Sequence, residues 1–224
     1  MNEPFYQQLL SMPLFQGMSR GDLEEVVAQT RFGFTKQKKN KVVVSEGEAC
    51  THLLFLLKGS LQAECHADDR SYSVVERLDA PVLLQVERIF GLTQRYTHQF
   101  TTITECSFIR LSKAETLRLA ESYEIFRLNL LNLVTTQSQR FTRIPWRNRP
   151  QGTRQKTVRF FENHCMRPVG AKRFNIRMEV LAREIGESRL HVSEVLNGMQ
   201  EEGLISFSRG IIEIPAFELL LNHA

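Results

Sequence analysis

The sequence predicts an α+β protein with an N-terminal β-roll (jelly-roll-like), a long central helix and a C-terminal winged helix-turn-helix. Three observations carry that prediction. Seven short β-rich stretches crowd between Lys41 and Leu111, a helical stretch runs from Tyr123 to about Arg143, and a helix–Gly–helix–hairpin pattern follows residue 178.

Residues 5–30 read as helical, with Leu9, Leu10, Leu14, Leu23 and Val26 at loose helical spacing. Ser19-Arg20-Gly21-Asp22, followed by Glu24 and Glu25, suits a fresh helix start inside this stretch. The β-rich stretches are Lys41–Val44, Leu53–Leu57, Ser60–Glu64, Ser71–Glu76, Val82–Val86, Gln99–Thr104 and Ser107–Leu111. Gly47, Gly59, Asp68-Asp69, Asp79 and Pro81 separate them. Such spacing suits a small barrel or jelly roll, whose interior can hold a ligand. Lys113–Ser122 and the longer 123–143 segment return to helical period. The longer helix carries Phe126, Leu130, Leu133, Val134, Gln137 and Phe141 on one stripe, with Leu128 and Leu131 on its flank. Two readings fit: one face on its own domain and another on a partner helix, or a single buried face. Two prolines and a glycine between Ile144 and Gly152 end the helix and mark a domain boundary.

The remaining 80 or so residues read as a helix (Arg154–Met166, with Val158, Phe161 and Cys165 on one face), two short strands including Phe174–Ile176, two helices and a hairpin. The segment EVLAREIGESRLHVSEVLNGMQEEGLI is the most specific signal. Leu181, Ala182 and Ile185 form the inner face of a first helix, and Gly186 suits a left-handed turn. Ser188 is a good N-cap for the second helix. Val192, Val195, Leu196 and Met199 face inward, leaving Arg189, Leu190, Ser193, Glu194 and Asn197 outward. Gly203 ends that helix, and Leu204–Phe207 with Ile211–Ile214 form a wing. The competing reading is a helical hairpin without a nucleic-acid role.

Composition limits what such a chain can do. Of its 224 residues 42% are hydrophobic and 24% charged, which argues against extensive disorder. The net charge of +4 is too mild for an indiscriminate nucleic-acid binder but allows a local basic face. Apolar runs such as Leu53–Leu57 fall far short of the roughly 20 residues of a membrane span. No signal-peptide pattern opens the chain, so a cytoplasmic location with no membrane partner is expected. Cys50, Cys65, Cys106 and Cys165 are scattered, as are histidines including His52, His66 and His98, so free thiols and no metal or iron–sulfur site are expected. No nucleophile–base constellation or phosphate loop is visible, and an enzyme with catalytic residues is not expected.

Taken whole, the chain resembles the cyclic-AMP receptor protein and fumarate–nitrate regulator (Crp/Fnr) superfamily of transcription factors. PLFQGMSRGDLEEVV is similar to the family's N-terminal helices, SEGEACTHLLFLLKGSLQ to its first barrel strands, and SRLHVSEVLNGMQEEGLI to its recognition helix. The resemblance implies three parts: a cyclic-nucleotide-binding-like sensor domain (residues 1–122), a long dimerisation helix (123–144) and a hinge with a DNA-binding winged helix-turn-helix (145–224). A homodimer would place two recognition helices about 34 Å apart on a near-palindromic operator in double-stranded DNA. RNA polymerase is a further candidate partner.

The resemblance puts Arg189 on the family's motif arginine, which can grip guanine O6 and N7 with two hydrogen bonds worth roughly 1–3 kcal/mol of discrimination. Leu190 stands where the family often has Glu, and Glu194 where it has Arg. Leu190 can meet a thymine methyl and Glu194 can accept from cytosine N4, so the half-site should differ from those of familiar relatives. Ser188 and Ser193 share this surface, while Arg177 and Arg209 in the wing are candidate phosphate contacts.

The effector site departs from the family. Cyclic-AMP binders carry Gly-Glu-Leu and, about nine residues on, Arg followed by a small residue, which together hold the cyclic phosphate and ribose. Here the Gly-Glu pair falls near Gln85-Val86 and the arginine near Tyr96; Glu87 and Arg95 lie one residue off, so a shifted register would rescue part of the site, with Arg88 a second candidate phosphate partner. Cyclic AMP is therefore not the expected effector, and no cofactor is assigned. Another small molecule is a candidate ligand, with Glu87, Arg88, Arg95 and Tyr96 joined by Thr135, Thr136, Gln139 and Arg140 of the long helix. The opposing reading is a small-molecule or protein-binding sensor whose helix-turn-helix does not read DNA, a reading that Glu194, Glu201 and Glu202 support. Finally, Pro145–Arg173 carries eight Lys/Arg against Glu162 alone, while the chain from Phe174 on is net −4. The basic stretch is expected to attract phosphate while residues near Arg189 read bases.

Overall fold

The structure is a computed structural model that describes residues 3–223; the side chains of Glu3, Pro4 and Phe141 lie outside the described residues. Phe141, one of the residues expected on the long helix's stripe, is thus not described beyond its backbone. The chain divides into two compact units, one of residues up to Leu61 with Leu78–Arg147, the other of Gln62–Arg77 with the residues from Asn148 on.

In the first unit the expected helical stretch is three pieces: α1 (Glu3–Leu10), a 3-10 turn (Pro13–Phe15) and α2 (Arg20–Gln29). Pro13 and the Ser19–Asp22 capping box, which closes α2 from both sides, account for the break. The strands follow as β1 (Gly33–Gln37), β2 (Val42–Val44), β3 (His52–Lys58), β4 (Ser60–His66), β5 (Tyr72–Asp79), β6 (Val82–Leu84), β7 (Gln99–Thr102) and β8 (Cys106–Ser112). β1 was not expected; it is a largely exposed edge strand on β8, and its Gly-Phe-Thr-Lys-Gln sequence has no apolar alternation. β6 stops at Leu84 rather than Val86, because Gln85 turns left-handed and a 3-10 turn (Val86–Arg88) begins.

One sheet of this unit has the order β1-β8-β3-β6, and β2 pairs with β7 elsewhere in the roll. At Gly59 a Cβ would come within 2.4 Å of the Glu105 carbonyl, so only glycine turns the chain there from β3 to β4. After β8 come α3 (Lys113–Ser122), α4 (Glu124–Thr142) and a 3-10 turn at Ile144–Trp146. Phe126 of α4 is fully buried against Phe15, ring centroids 5.3 Å apart, and Asn129 donates to the Leu14 and Gln16 carbonyls. Leu130 is also buried and Leu133, Val134 and Gln137 half-buried, whereas Leu128 and Leu131 are about half exposed.

The second unit contains α5 (Gly152–His164), β9 (Lys172–Ile176), α6 (Met178–Ile185), α7 (Arg189–Glu201), β10 (Ser206–Ser208), β11 (Ile211–Ile214) and α8 (Phe217–Asn222). Only β9 stands where two strands were expected, since Pro168 lacks an N–H and Gly170 adopts φ +82°. Helix α8 was not anticipated; its Phe217 and Leu220 are fully buried in a core with Phe161, Phe174, Leu181, Val192 and Met199.

β9 is paired on both sides, with β11 and with β5. The β4–β5 hairpin thus joins this sheet through β5. Tyr72 faces Ile176 and Glu76 faces Lys172 in the β5–β9 register. Lys172 and Glu76 form an ion pair with both side chains about 1% exposed, and Glu76 also accepts from the Met166 and Arg167 amides. Asn175 donates to Ser73 at 2.9 Å.

Part of the basic stretch is matched to acids within the same unit. Lys172 is buried, Arg154 makes a two-pronged bond to Glu202 (2.7 and 2.6 Å), Lys156 meets Glu187 at 2.6 Å and Arg173 meets Glu213 at 2.7 Å. Half of the eight cations are therefore matched to acids contributed by β5 or by the net-acidic remainder of the unit.

Breaking a buried pair by removing one partner costs about 3–5 kcal/mol, because the remaining charge stays uncompensated. Glu76→Leu should accordingly accelerate hydrogen exchange at the Phe174 and Ile176 amides, and adding Lys172→Leu should restore much of the protection. Equal protection in the single and double variants would contradict this.

Candidate functional site

The turn between α6 and α7 is built as its residues demand. Gly186 caps α6 at φ +65°, and Glu187 N–H returns to the Ala182 carbonyl at 3.0 Å. The Ser188 hydroxyl accepts the His191 N–H at 3.2 Å and so caps α7. Val192, Leu196 and Met199 are buried and Val195 packs half-buried on the core, which orients the opposite face outward.

On that face Arg189 and Leu190 are about two-thirds exposed, Glu194 is exposed and Ser193 half-buried. A cleft of about 270 Å³ lies between the start of α7, the start of α6 and the wing. Arg177, Arg189 and Arg209 all line it, together with Glu179 and Ser208 over apolar residues such as Leu196 and Phe207. Arg177 is the N-cap residue of α6, and Arg209 takes φ +47° at the wing tip beside Gly210. Three arginines far apart in sequence thus share one concavity, a favourable environment for an anion. Glu179 was missed: its Oε1 lies 3.4 Å from Arg189 Nε across the turn, a ten-residue separation that no helical spacing rule reveals.

In the first unit the expected effector residues do not converge. Glu87 and Arg88 are half-buried and pair with each other at 3.8 Å. The exposed Arg95 donates to the Gly47 carbonyl at 2.8 Å. Tyr96 is buried and its hydroxyl donates to the His52 carbonyl at 3.1 Å; burial raises its pKa far above the ordinary phenol value. Thr135, Thr136 and Gln139 are exposed on α4, with Arg140 half-buried, and Thr135 bonds back to the Leu131 carbonyl at 2.7 Å. Tyr96 instead lines a polar cleft of about 150 Å³ with His52, Glu48, Thr35 and Arg110.

The residue that organises this loop is Gln85, which sequence reading noted only as a departure. It is buried and left-handed (φ +38°, ψ 53°). Its carboxamide oxygen accepts the Thr97 N–H at 3.0 Å, and its nitrogen donates to Thr97 Oγ1 at 2.5 Å and lies 3.2 Å from His98 Nδ1. A carboxamide both donates and accepts, so it meets both the amide and the hydroxyl of Thr97 at the entry to the next strand. Among the described residues, no three or more His, Cys, Asp or Glu are grouped so as to hold a metal ion, and no helix is long and apolar enough to cross a membrane.

A β-roll with an effector-type loop, a long helix and a winged helix-turn-helix together form the architecture of a ligand-sensing transcription regulator. The cyclic nucleotide-binding domain model matches residues 35–123 and the Crp-like helix-turn-helix domain model matches residues 155–222, together more than two thirds of the chain. The chain belongs to the Crp/Fnr family of regulators. The fold is similar to that of the catabolite activator protein of Thermus thermophilus, at 19% identity and a TM-score of 0.50, over 94% of this chain and 97% of that one. It is also similar to the sensor domain of the regulator DNR from Pseudomonas aeruginosa, at 21% identity and a TM-score of 0.52, over 63% of this chain and 93% of that one. A search of curated protein sequences gives no match.

Two outcomes follow from the loop. Gln85→Ala removes the carboxamide while keeping the left-handed backbone, and should cost about 1–3 kcal/mol. Gln85→Gly should be less damaging, since it relieves a left-handed cost of roughly 1–2 kcal/mol. Hydrogen exchange at Thr97 reads both, and wild-type protection in the alanine variant would contradict the role. Burial, then the Arg110 guanidinium, holds the His52 imidazole below its ordinary 6.5. The unfolded chain therefore binds the proton more readily, and stability of this unit should fall as pH drops below that value. His52→Asn should flatten the decline in melting temperature between neutral and mildly acidic pH.

Proposed function

We propose that this chain is a homodimeric, sequence-specific DNA-binding regulator of transcription whose effector, if it has one, is not cyclic AMP. The convergence of Arg177, Arg189 and Arg209 on one cleft at the exposed start of α7 carries this reading. Arg189 would read guanine in the major groove, with Leu190, Ser193 and Glu194 meeting neighbouring bases. Ser188, Arg177 and Arg209 would contact phosphates. Half-exposed Leu128 and Leu131 on α4, beside the buried Phe126 and Leu130, supply an apolar face for a second copy. The Gln85 carboxamide supports the exclusion of cyclic AMP, because an entering phosphate would have to displace it from the Thr97 amide. This function needs no catalytic residue and takes place in the cytoplasm, and an activating role would make RNA polymerase a partner.

Selection on random DNA duplexes, followed by gel shift with nonspecific competitor, tests the reading. The wild-type chain should enrich a near-palindromic motif with half-sites about 34 Å apart. Arg189→Ala should lose guanine preference at one position of each half-site, a change of roughly 1–3 kcal/mol in discrimination. An unchanged motif would reject that role. No competitor-resistant binding under any ligand tried would favour the sensor whose helix-turn-helix does not read DNA.

A further inference from the structure

We infer that Glu179 is a positioning residue for base reading, setting the orientation in which Arg189 presents its guanidinium; this rests on the proposal that Arg189 reads DNA. Arginine offers five N–H donors in a rigid planar fork, one on Nε and two on each terminal nitrogen. Guanine is gripped by two roughly parallel donors, which either the Nη1–Nη2 end or the Nε–Nη2 edge can supply. Glu179 Oε1 lies 3.4 Å from Arg189 Nε, and both residues line the same cleft. A carboxylate on the Nε side leaves the end of the fork, with both terminal nitrogens, as the face open to a base.

The same carboxylate biases what Arg189 can do when no cognate base is present. Arg177 and Arg209 flank the cleft and can take phosphates without discrimination. Arg189 would be free to do likewise, but phosphate drawn to it must also approach Glu179, whose charge repels it. A neutral base edge meets no such opposition. Glu179 therefore favours base contact over backbone contact for this one arginine. Its cause is local: Glu179 sits on α6 two residues after the N-cap Arg177, across the turn from α7. The pair is exposed, with side chains 69% and 61% accessible, so its effect on preference is modest, about two- to fivefold.

The test compares full-length wild type, Glu179→Gln, Glu184→Gln and Arg189→Ala in duplex selection and in titrations of the enriched site against a scrambled duplex. Glu184 is also on α6 but pairs with Arg183 and does not line the cleft, so its variant controls for loss of one negative charge. Glu179→Gln should lower the guanine preference at the Arg189 position about two- to fivefold and tighten binding to scrambled DNA. Glu184→Gln should change affinity for both duplexes alike and leave the motif intact. In the Arg189→Ala background, Glu179→Gln should have no effect on base preference. An enriched motif whose guanine preference survives Glu179→Gln, or matching behaviour of the two glutamine variants, would overturn the positioning role alone. Failure of the wild-type chain to enrich any motif would overturn both this role and the DNA-reading proposal. Circular dichroism of each variant establishes that the substitutions, all at exposed positions, leave the fold in place.

Discussion

Lys172 and Glu76 meet in the interior of the C-terminal unit with almost no water around either. Two charges taken out of solvent are tolerated only together and with their remaining hydrogen-bonding capacity filled. Glu76 fills its own with the Met166 and Arg167 amides, at the turn that leads from α5 to β9. One carboxylate from the β4–β5 hairpin thus fixes the lysine that opens β9 and the loop that delivers the chain to it. β9 in turn lies between β5 and β11, and its last residue leads directly into the N-cap of α6. The position of the helix-turn-helix therefore depends on a strand flanked by β5, about 100 residues earlier in the chain, and by β11, with the buried ion pair and the Asn175–Ser73 bond joining it to β5.

The same unit shows how far net charge along the sequence differs from the charge a surface presents. Of the eight cations in residues 145–173, Arg154, Lys156, Lys172 and Arg173 are each matched with a carboxylate. The carboxyl groups of Glu202 and Glu187 are held below their ordinary range, first by hydrogen bonds from Arg154 and Lys156. These acids are among those that made the recognition region net negative. Once they are matched, what faces the cleft is three arginines against Glu179. Local sign follows from which charges are already partnered, and that is a property of the fold.

The elements most readable in the sequence were those set by local rules. α3, α6 and β11 occur where period, cap and turn chemistry placed them, and Gly186 and Ser188 do what a left-handed turn and an N-cap require. The features that escaped depend on partners distant in sequence. β1 is a strand only because β8 offers it a ladder, and α8 is a helix because Phe217 and Leu220 fill the core. Assignment of the hairpin to the second unit rests on Glu76 finding Lys172, 96 positions away. The candidate interface divided in the same way. The outward face of α7 was visible from its inward apolar residues, while the gathering of Arg177 and Arg209 beside it required the wing to fold back over α6.

The sensor loop presents a different kind of departure, because its sequence differences compensate one another. Tyr96, near which the resemblance places the family's arginine, is a buried phenol that spends its hydroxyl on the His52 carbonyl. A neutral phenol supplies no fixed positive charge of the kind a buried phosphate needs. Gln85 then occupies a left-handed position that favours glycine, a cost of roughly 1–2 kcal/mol for other residues. Its carboxamide offsets the cost by bonding the backbone and hydroxyl of Thr97 as the chain enters β7, the hydroxyl also meeting His98 Nδ1 at 2.9 Å. A loop that supplies its own acceptor and donor is ordered without a ligand. Any small molecule acting there must favour a second arrangement strongly enough to replace those bonds, since a ligand shifts an equilibrium only by its difference in affinity for the two states.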